Sequence, residues 1–259
     1  MSGRNFKILD TIPVQHKKVD NMNEFYIPEC QLRLVSGDIT RLNCDCIVNA
    51  ANHALENGGG VNGAIHRAAG PELLEECRTL GGCETGQAKI TAGYRLPAKY
   101  VIHTVGPVYG TPNAEQLLGS CYRNTLQLAL EKGDIKTIAF PMISAGVFGY
   151  PKREAARIAL SSVREWKSLH PDVQMEVTFC CADPEMYRYV QENMQELKNK
   201  TERYRSETKG LVFRKVELQF YPEDEEKMKN MTTREQIEFR RKLKDENRYI
   251  ILNPEVFSE

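Results

Sequence analysis

The amino-acid sequence predicts an α/β fold built on a largely parallel sheet. Between residues 30 and 199, short runs rich in β-branched residues alternate with longer amphipathic runs. This alternation is typical of βα units around a parallel sheet. Several of the short runs are apolar without interruption, as expected for strands that helices cover on both faces.

Five strands and five helices follow from this pattern in chain order. The predicted strands are QLRLVS, CDCIVNA, YVIHTVG, KTIAFPM and MEVTFCC. The predicted helices span 61–69, 71–80, 113–132, 151–169 and 184–199. Pro71 and Pro151 stand where helices could begin, and proline is well tolerated in the first helical turn.

The chain divides into three segments by composition. An N-terminal extension, 1–28, precedes the α/β domain at 29–199, and a C-terminal extension follows at 200–259. In the last segment, Thr232 stands three residues before Glu235, which is a capping-box signal for a helix. Runs that alternate like strands lie on both sides of it. We therefore expect a small β-α-β appendage there, which is a candidate contact for a protein partner.

Charge and hydropathy exclude several classes of protein. Lysine plus arginine and aspartate plus glutamate both number 35 in 259 residues, so the formal net charge is zero. This balance argues against a nucleic-acid partner, which usually requires a basic face. No apolar run approaches the ~20 residues that span a bilayer, and the N-terminus lacks the apolar core of a signal peptide. We expect a soluble protein of the cytoplasm, the nucleus or both.

The cysteines do not predict a metal centre. All eight are scattered, mostly in apolar surroundings. Cys44 and Cys46 lack the C-x-x-C spacing of common zinc sites, and no H-x-x-x-H partner follows them. We expect no structural metal.

The stretch NAANHALENGGGVNGAIHRAAG, residues 49–70, carries the first candidate site. It follows a predicted strand, and ligands of open α/β sheets bind beyond the carboxyl ends of strands. Gly58, Gly59 and Gly60 allow positive φ angles and leave backbone N–H groups uncovered. A helix begins near Val61, so the loop is suited to phosphate. The alternative is that it is a plain connection.

The stretch PMISAGVFGYP, residues 141–151, has the same organisation. It follows another buried strand, contains Gly146 and Gly149, and leads into a helix at Pro151. Two such loops could hold a diphosphate between them, with Phe148 against a sugar. Neither loop has the G-x-G-x-x-G or G-x-x-x-x-G-K-[ST] pattern, which points away from nicotinamide redox chemistry and ATP hydrolysis.

A third element, VSGDIT at 35–40, ends the first long strand. The carboxylate of Asp38 could accept a hydrogen bond from an exocyclic amine such as that of adenine. The alternative is an aspartate that caps a turn or a helix.

Six motifs together resemble one family. GDIT, IVNAAN, GGGVNGAIHRAAG, TGQAKIT, VIHTVGP and ISAGVFGYP, in this order, resemble the MacroD-type branch of the macrodomain family. The resemblance covers about residues 30–199. It implies a three-layer α/β/α sandwich on a mixed, mostly parallel sheet, with ADP-ribose or ADP-ribosylated proteins as partners and neither cofactor nor metal.

The resemblance also implies how ADP-ribose is held. Asp38 would bind the adenine amino group beside Ile39, and the diphosphate would lie between the 58–61 and 144–149 loops. The distal ribose would lie near Asn52, against Phe148. The implied binding residues are Asp38, Ile39, Ala51, Asn52, Gly58, Gly59, Gly60, Val61, Ser144, Ala145, Gly146, Val147 and Phe148.

MacroD-type relatives remove ADP-ribose from acidic side chains and deacetylate O-acetyl-ADP-ribose. The resemblance therefore implies a hydrolase, with Asn52 and Asn62 as catalytic residues. Most such relatives have an aspartate where this chain has Asn62. An amide forms hydrogen bonds but cannot act as a general base at neutral pH. The alternative function is a non-catalytic module that reads ADP-ribose on proteins.

Two further positions concern the rim of this site. Many relatives have an aromatic residue where this chain has Ala182, and Tyr187 is a candidate to replace it. We interpret His66 and His103 as structural histidines within packed elements. His53, directly after Asn52, has the alternative of lying near the ribose.

Overall fold

The computed structural model describes residues 24–207, 211–212, 218–220, 222–229, 231–245, 249–251 and 257–258. The chain forms two compact units, Met1–Lys198 and Asn199–Glu259. The predicted N-terminal extension lies outside the described residues up to residue 23.

The first unit contains seven strands and five helices. The strands are β1 (Glu24–Ile27), β2 (Leu32–Ser36), β3 (Cys46–Ala50), β4 (Ala88–Ala92), β5 (Tyr100–Thr104), β6 (Thr137–Phe140) and β7 (Glu176–Cys181). The helices are α1 (Gly60–Ala69), α2 (Pro71–Thr79), α3 (Ala114–Lys132), α4 (Lys152–Leu169) and α5 (Pro184–Glu207).

The strands form one mixed sheet in the order β1-β2-β7-β6-β3-β5-β4. The five predicted strands make up its parallel centre, and the predicted fold class is confirmed. Two edge strands, β1 and β4, pair antiparallel and were not predicted. Both are short and mostly half-exposed, so they lack the apolar run that marks a central strand. β1 also means that the sheet begins at Glu24, inside the segment assigned to the extension.

Two hydrophobic cores lie on opposite faces of the sheet. One packs α3, α4 and α5 against the sheet, with Tyr122, Phe140 and Phe179 among its buried residues. The other packs α1 and α2 against the sheet around Ile65 and Leu73. Alternate residues of β3 enter the two cores, as the period of a strand requires. The result is three layers, with helices above and below one sheet.

The second unit has short strands and two further helices. The strands β8 (Leu211–Val212) and β9 (Leu218–Phe220) pair with β11 (Phe257–Ser258) and β10 (Tyr249–Ile251) respectively. Between them lie α6 (Pro222–Met228) and α7 (Thr233–Asp245). Thr232 and Glu235 form the predicted capping box, because each accepts from the other's backbone N–H. The strands are shorter and more numerous than the β-α-β pattern predicts.

Two kinds of site are not found in the described part of the chain. None of its helices is both long and apolar enough to cross a membrane. Its histidine, cysteine, aspartate and glutamate side chains form no group of three or more that could hold a metal ion.

Candidate active site

A cavity of about 780 Å³ lies beyond the carboxyl ends of the parallel strands. Its wall includes the residues that follow β2, β3, β6 and β7, together with the two glycine loops. Every sequence-predicted site residue lines this cavity: Asp38, Ile39, Ala51, Asn52, Gly58, Gly59, Gly60, Val61, Asn62, Ser144, Ala145, Gly146, Val147 and Phe148. The parallel sheet brings these distant segments together because its strands end at one edge.

The first glycine loop opens helix α1 towards the cavity. Gly59 is the N-cap of α1, and Gly60 has a φ of 57°, which a residue with a Cβ rarely adopts. A Cβ on either glycine would have no heavy atom within 4 Å, so both face open space. The first N–H groups of a helix have no carbonyl partner within it. Here these donors and the helix dipole favour an anion.

Side-chain amides hold this loop in place. Asn52 donates from Nδ2 to the carbonyl of Glu56 at 2.9 Å, and its Oδ1 accepts from the Glu56 N–H at 2.9 Å. Asn62, on the first turn of α1, donates from Nδ2 to the same Glu56 carbonyl at 2.9 Å. The loop is therefore joined to both the end of β3 and the start of α1.

A buried polar network continues from Asn62 into the interior. Asn49 donates from Nδ2 to Asn62 Oδ1 at 2.8 Å, and the same nitrogen lies 3.1 Å from His103 Nδ1. Since an amide nitrogen can only donate, His103 Nδ1 is the acceptor and its proton is on Nε2. That nitrogen lies 2.9 Å from Thr91 Oγ1. Burial, with a smaller effect from His66, lowers the pKa of His103 to about 3, so the ring is neutral.

The second glycine loop is held by backbone bonds. Tyr150 donates its N–H to the Ser144 carbonyl at 3.0 Å, and Gly149 donates to the Gly146 carbonyl at 2.9 Å. The carbonyl of Phe148 accepts from Tyr109 N–H at 2.9 Å. Ser144 has a φ of 62°, an uncommon conformation for a non-glycine residue. The loop tip, Val147, is 97% exposed, so it projects beside the cavity.

Gly106 allows the second loop to approach β5. A Cβ at this position would overlap Ser144 Oγ and lie 2.6 Å from Ile143 Cγ2. The sequence analysis missed Gly106 as a site residue, although it stands in the quoted motif VIHTVGP. Its place directly after a predicted strand was the signal that could have identified it.

Asp38 combines its two predicted roles in geometry. Its Oδ1 accepts from the N–H of Thr40 at 2.9 Å and from Thr40 Oγ1 at 2.8 Å, so it caps a short 3-10 turn. The side chain is half-exposed, and Oδ2 has a distant ion pair with Arg41 at 3.8 Å. The capping oxygen is thus occupied, whereas Oδ2 has room to accept from a ligand amine.

The comparisons with known proteins agree with this architecture. A family profile described as Macro domain matches residues 48–159. A macro domain-containing protein of Ralstonia nicotianae is 58% identical over 157 residues, which cover 60% of this chain and 89% of that protein. This chain belongs to the macrodomain family.

Solved macrodomain structures share the fold. The Oceanobacillus iheyensis macrodomain with ADP is 40% identical, with a TM-score of 0.66, over 70% of this chain and 99% of that one. A Trypanosoma brucei macrodomain in complex with ADP-ribose is 45% identical, with a TM-score of 0.60, over 63% of this chain and 69% of that one.

Relatives with a named activity are longer than the matched region. The Xenopus laevis protein named ADP-ribose glycohydrolase MACROD2 is 61% identical over 147 residues, which cover 56% of this chain and 35% of that protein. The match to mouse MACROD1, which bears the same glycohydrolase name, covers 50% of that protein. This macrodomain thus matches between a third and a half of each of these two relatives.

The cavity also contains residues that sequence reasoning did not select. Met142, Cys180, Cys181 and Met186 contribute to its wall. Burial raises the pKa of both thiols to about 12, so neither is a thiolate nucleophile at neutral pH. These residues follow or flank strands as part of apolar runs, and a sequence alone does not separate them from ordinary core residues.

The remaining expectations on the rim have mixed outcomes. His53 binds the Cys83 carbonyl through Nδ1 at 3.1 Å and is not among the residues that line the cavity. Ala182 lines the cavity, whereas Tyr187 packs against the core instead and does not take the place of an aromatic residue there. His66 is buried as expected, but neither ring nitrogen has a hydrogen-bond partner within the described residues.

Proposed function

We propose that this macrodomain binds ADP-ribose and hydrolyses mono-ADP-ribose from acidic side chains of proteins. One observation carries the proposal: two glycine loops that leave different parallel strands line the same cavity, with Asp38 and Asn52 on its wall. The glycohydrolase names of the MACROD1 and MACROD2 relatives support it. So do the macrodomain structures with ADP and ADP-ribose.

Each part of the cavity suits one part of the ligand. Asp38 Oδ2 would accept from the adenine amine. The diphosphate would lie between Gly59 and Gly146, where a Cβ would meet no heavy atom within 4 Å and backbone donors can approach. Asn52 keeps a second amide hydrogen and a second Oδ1 lone pair beyond its bonds to Glu56. These can orient a ribose hydroxyl beside Phe148.

The proposed reaction breaks the bond between ribose C1″ and the ester oxygen of the modified side chain. Water attacks C1″, the carboxylate of the protein substrate leaves, and the proton of the water passes to the nearby diphosphate or solvent. Positive charge develops on the ribose in the transition state, and the adjacent diphosphate stabilises it. The macrodomain contributes mainly by holding ribose, diphosphate and water in position, and Asn62 takes no proton.

One observation favours a second candidate, a reader that binds ADP-ribose on proteins without cleaving it. Asn62 is only 6% exposed, and both its polar atoms already have partners within the protein. It therefore presents no base to a water molecule. In this case, residues 199–259 are the candidate contact for a protein partner. Deacetylation of O-acetyl-ADP-ribose stays a prediction for the same cavity.

The test combines a binding titration with a release assay. The purified chain is titrated with free ADP-ribose and then incubated with a glutamate-mono-ADP-ribosylated protein. We expect micromolar binding and release of free ADP-ribose over many turnovers. Binding without release would favour the reader, and failure to bind ADP-ribose would exclude both functions.

A further inference from the structure

The amide of Asn62 stands at the end of a polar chain in which every donor has one direction. His103 Nε2–H faces Thr91 Oγ1, and Asn49 Nδ2 contacts both His103 Nδ1 and Asn62 Oδ1. Because Asn49 must use its nitrogen for both contacts, Asn62 must present oxygen to Asn49 and nitrogen to the loop. The orientation of the Asn62 amide is therefore set from the interior.

The other end of this amide meets a carbonyl that also carries Asn52. Asn62 and Asn52 each donate to the Glu56 carbonyl at 2.9 Å, one from α1 and one from the end of β3. Leu55, beside Glu56, is fully buried with a φ of 57°. The segment between Asn52 and Gly58 is thus held at its middle, with one half of the glycine run directly following it.

The nearest isosteric side chain, aspartate, cannot make this contact while ionised. A carboxylate at position 62 could still accept from Asn49, but its second oxygen would face the Glu56 carbonyl oxygen at hydrogen-bond distance. Two acceptors without a hydrogen between them repel, and a buried carbonyl that loses a donor is destabilised. A protonated carboxyl would restore one donor.

We propose that Asn62 is a positioning residue whose amide hydrogen holds the Glu56 carbonyl, and so holds the loop from Asn52 to Gly60 in its binding conformation. His103 orients this amide through Asn49. The proposal rests on the proposed function for its ligand, but the contact that it concerns exists without ligand. An ionised aspartate at position 62 would weaken ligand binding in this chain instead of supplying a missing base.

The proposal makes the Asn62→Asp variant sensitive to pH. Burial disfavours the charged form of an introduced carboxyl, and so does the facing carbonyl, so its pKa is expected to be raised. The neighbouring titratable groups are His66 on α1, His103 on β5 and Cys77 on α2. Burial lowers the pKa of both histidines and raises that of Cys77 to about 11. The charged side chains of Glu56 and Arg67 are exposed.

The experiment is a titration of wild type and Asn62→Asp with free ADP-ribose between pH 5 and pH 8. We expect the variant to bind about tenfold to a hundredfold more weakly than wild type at pH 8, as for an acceptor left without its donor. This ratio should shrink towards one as the pH is lowered. Equal affinity at pH 8, or a ratio that does not change with pH, would overturn the proposal.

Asn124→Asp is the matched control. Asn124 also donates from Nδ2 to a backbone carbonyl, that of Gly86 at 2.7 Å, but it does not line the cavity. It should keep wild-type affinity at every pH. An equal, pH-dependent loss of affinity in this variant would show that the change in Asn62→Asp is not local, which would also overturn the proposal.

A measurement on wild type serves if Asn62→Asp does not fold. The side-chain amide protons of Asn62 should exchange with solvent much more slowly than those of the exposed Asn57 in the same loop, in nuclear magnetic resonance spectra without ligand. Equal exchange rates would overturn the proposal. Since this measurement needs neither ligand nor turnover, failure of the proposed function leaves its result unaffected.

Discussion

The two glycine loops around the cavity look alike in the sequence but are held by different means. The loop before α1 is held by side-chain amides, Asn52 and Asn62, which meet at the Glu56 carbonyl. The loop before α4 is held by backbone bonds within 144–150 and by its close approach to Gly106. One loop thus depends on a buried polar network, the other on backbone geometry and small size.

This difference teaches that a glycine signal indicates where a ligand can approach but not what holds the loop there. Substitutions should therefore act differently on the two loops. At the first loop, loss of one buried amide affects several partners. At the second loop, loss of a polar side chain has little effect, and added volume has more. Four predictions break or sharpen this comparison.

The largest effect is expected from Gly59→Glu. Gly59 has a φ of −88° and no heavy atom within 4 Å of an added Cβ, so the variant should fold normally. Its carboxylate would enter the space for the diphosphate, and like charges at such a distance cost about 3 kcal/mol or more in binding. Titration with ADP-ribose should show at least about a hundredfold loss of affinity. Gly59→Gln separates charge from size, and unchanged affinity in Gly59→Glu would refute the placement of the diphosphate.

The next effect separates the two loops by volume. In Gly63→Ala the added methyl group would overlap the Gly58 carbonyl oxygen, which is backbone and cannot rotate away. In Gly106→Ala it would overlap Ser144 Oγ, which can rotate. Overpacking costs about 1–3 kcal/mol, so we expect about 3 kcal/mol for Gly63→Ala and about 1 kcal/mol for Gly106→Ala in chemical unfolding. The reverse order would break the comparison.

The pH dependence of stability tests the network behind the first loop. In the folded protein the pKa of His103 is about 3, whereas an unfolded histidine has a pKa of ~6.5. The unfolded chain therefore binds a proton that the folded chain refuses, and the free energy of unfolding falls as the pH drops below ~6.5. His103 should account for a loss of about 2 kcal/mol between pH 6.5 and pH 5.

Burial also lowers the pKa of His66, which acts in the same direction. Urea unfolding at several pH values measures the slope, and His103→Gln should reduce it. A slope that His103→Gln leaves unchanged would contradict the neutral, buried state of this ring.

The smallest effect is expected from Ser144→Ala. The Ser144 hydroxyl is buried, and within the described residues it has no hydrogen-bond partner. Its removal should change the free energy of unfolding by no more than about 0.5 kcal/mol. Asn49→Ala is the counterpart at the first loop and should cost about 2 kcal/mol, because Asn62 and His103 each lose a partner. Similar losses for both variants would remove the distinction between the loops.

The parallel centre of the fold follows from the sequence because buried central strands have a strong local signal. The five predicted strands and five helices are all present, with shifts of a few residues at most of their ends. β4 reads AKITA and β1 reads EFYI, and such short, half-exposed edge strands depend on pairing with a neighbour that sequence periodicity does not reveal.

The site was predictable where its residues carry their own signal. Glycine runs, Asn52 and Asp38 stand out after strands, and six ordered motifs gave the family. Asn49, Gly106 and Cys180 do not stand out, since their roles depend on residues more than ten positions away. The direction of the Asn62 amide is of the same kind, because it follows from His103 through Asn49.

Hydrolysis of a glutamate-mono-ADP-ribosylated protein in water enriched with ¹⁸O tests the central claim most directly. The account predicts that the chain releases ADP-ribose that carries the label at C1″, while the glutamate stays unlabelled. Label on the glutamate would show attack at the acyl carbon and contradict the proposed bond cleavage. Binding without release would contradict hydrolysis altogether and leave the reader as the function of this cavity.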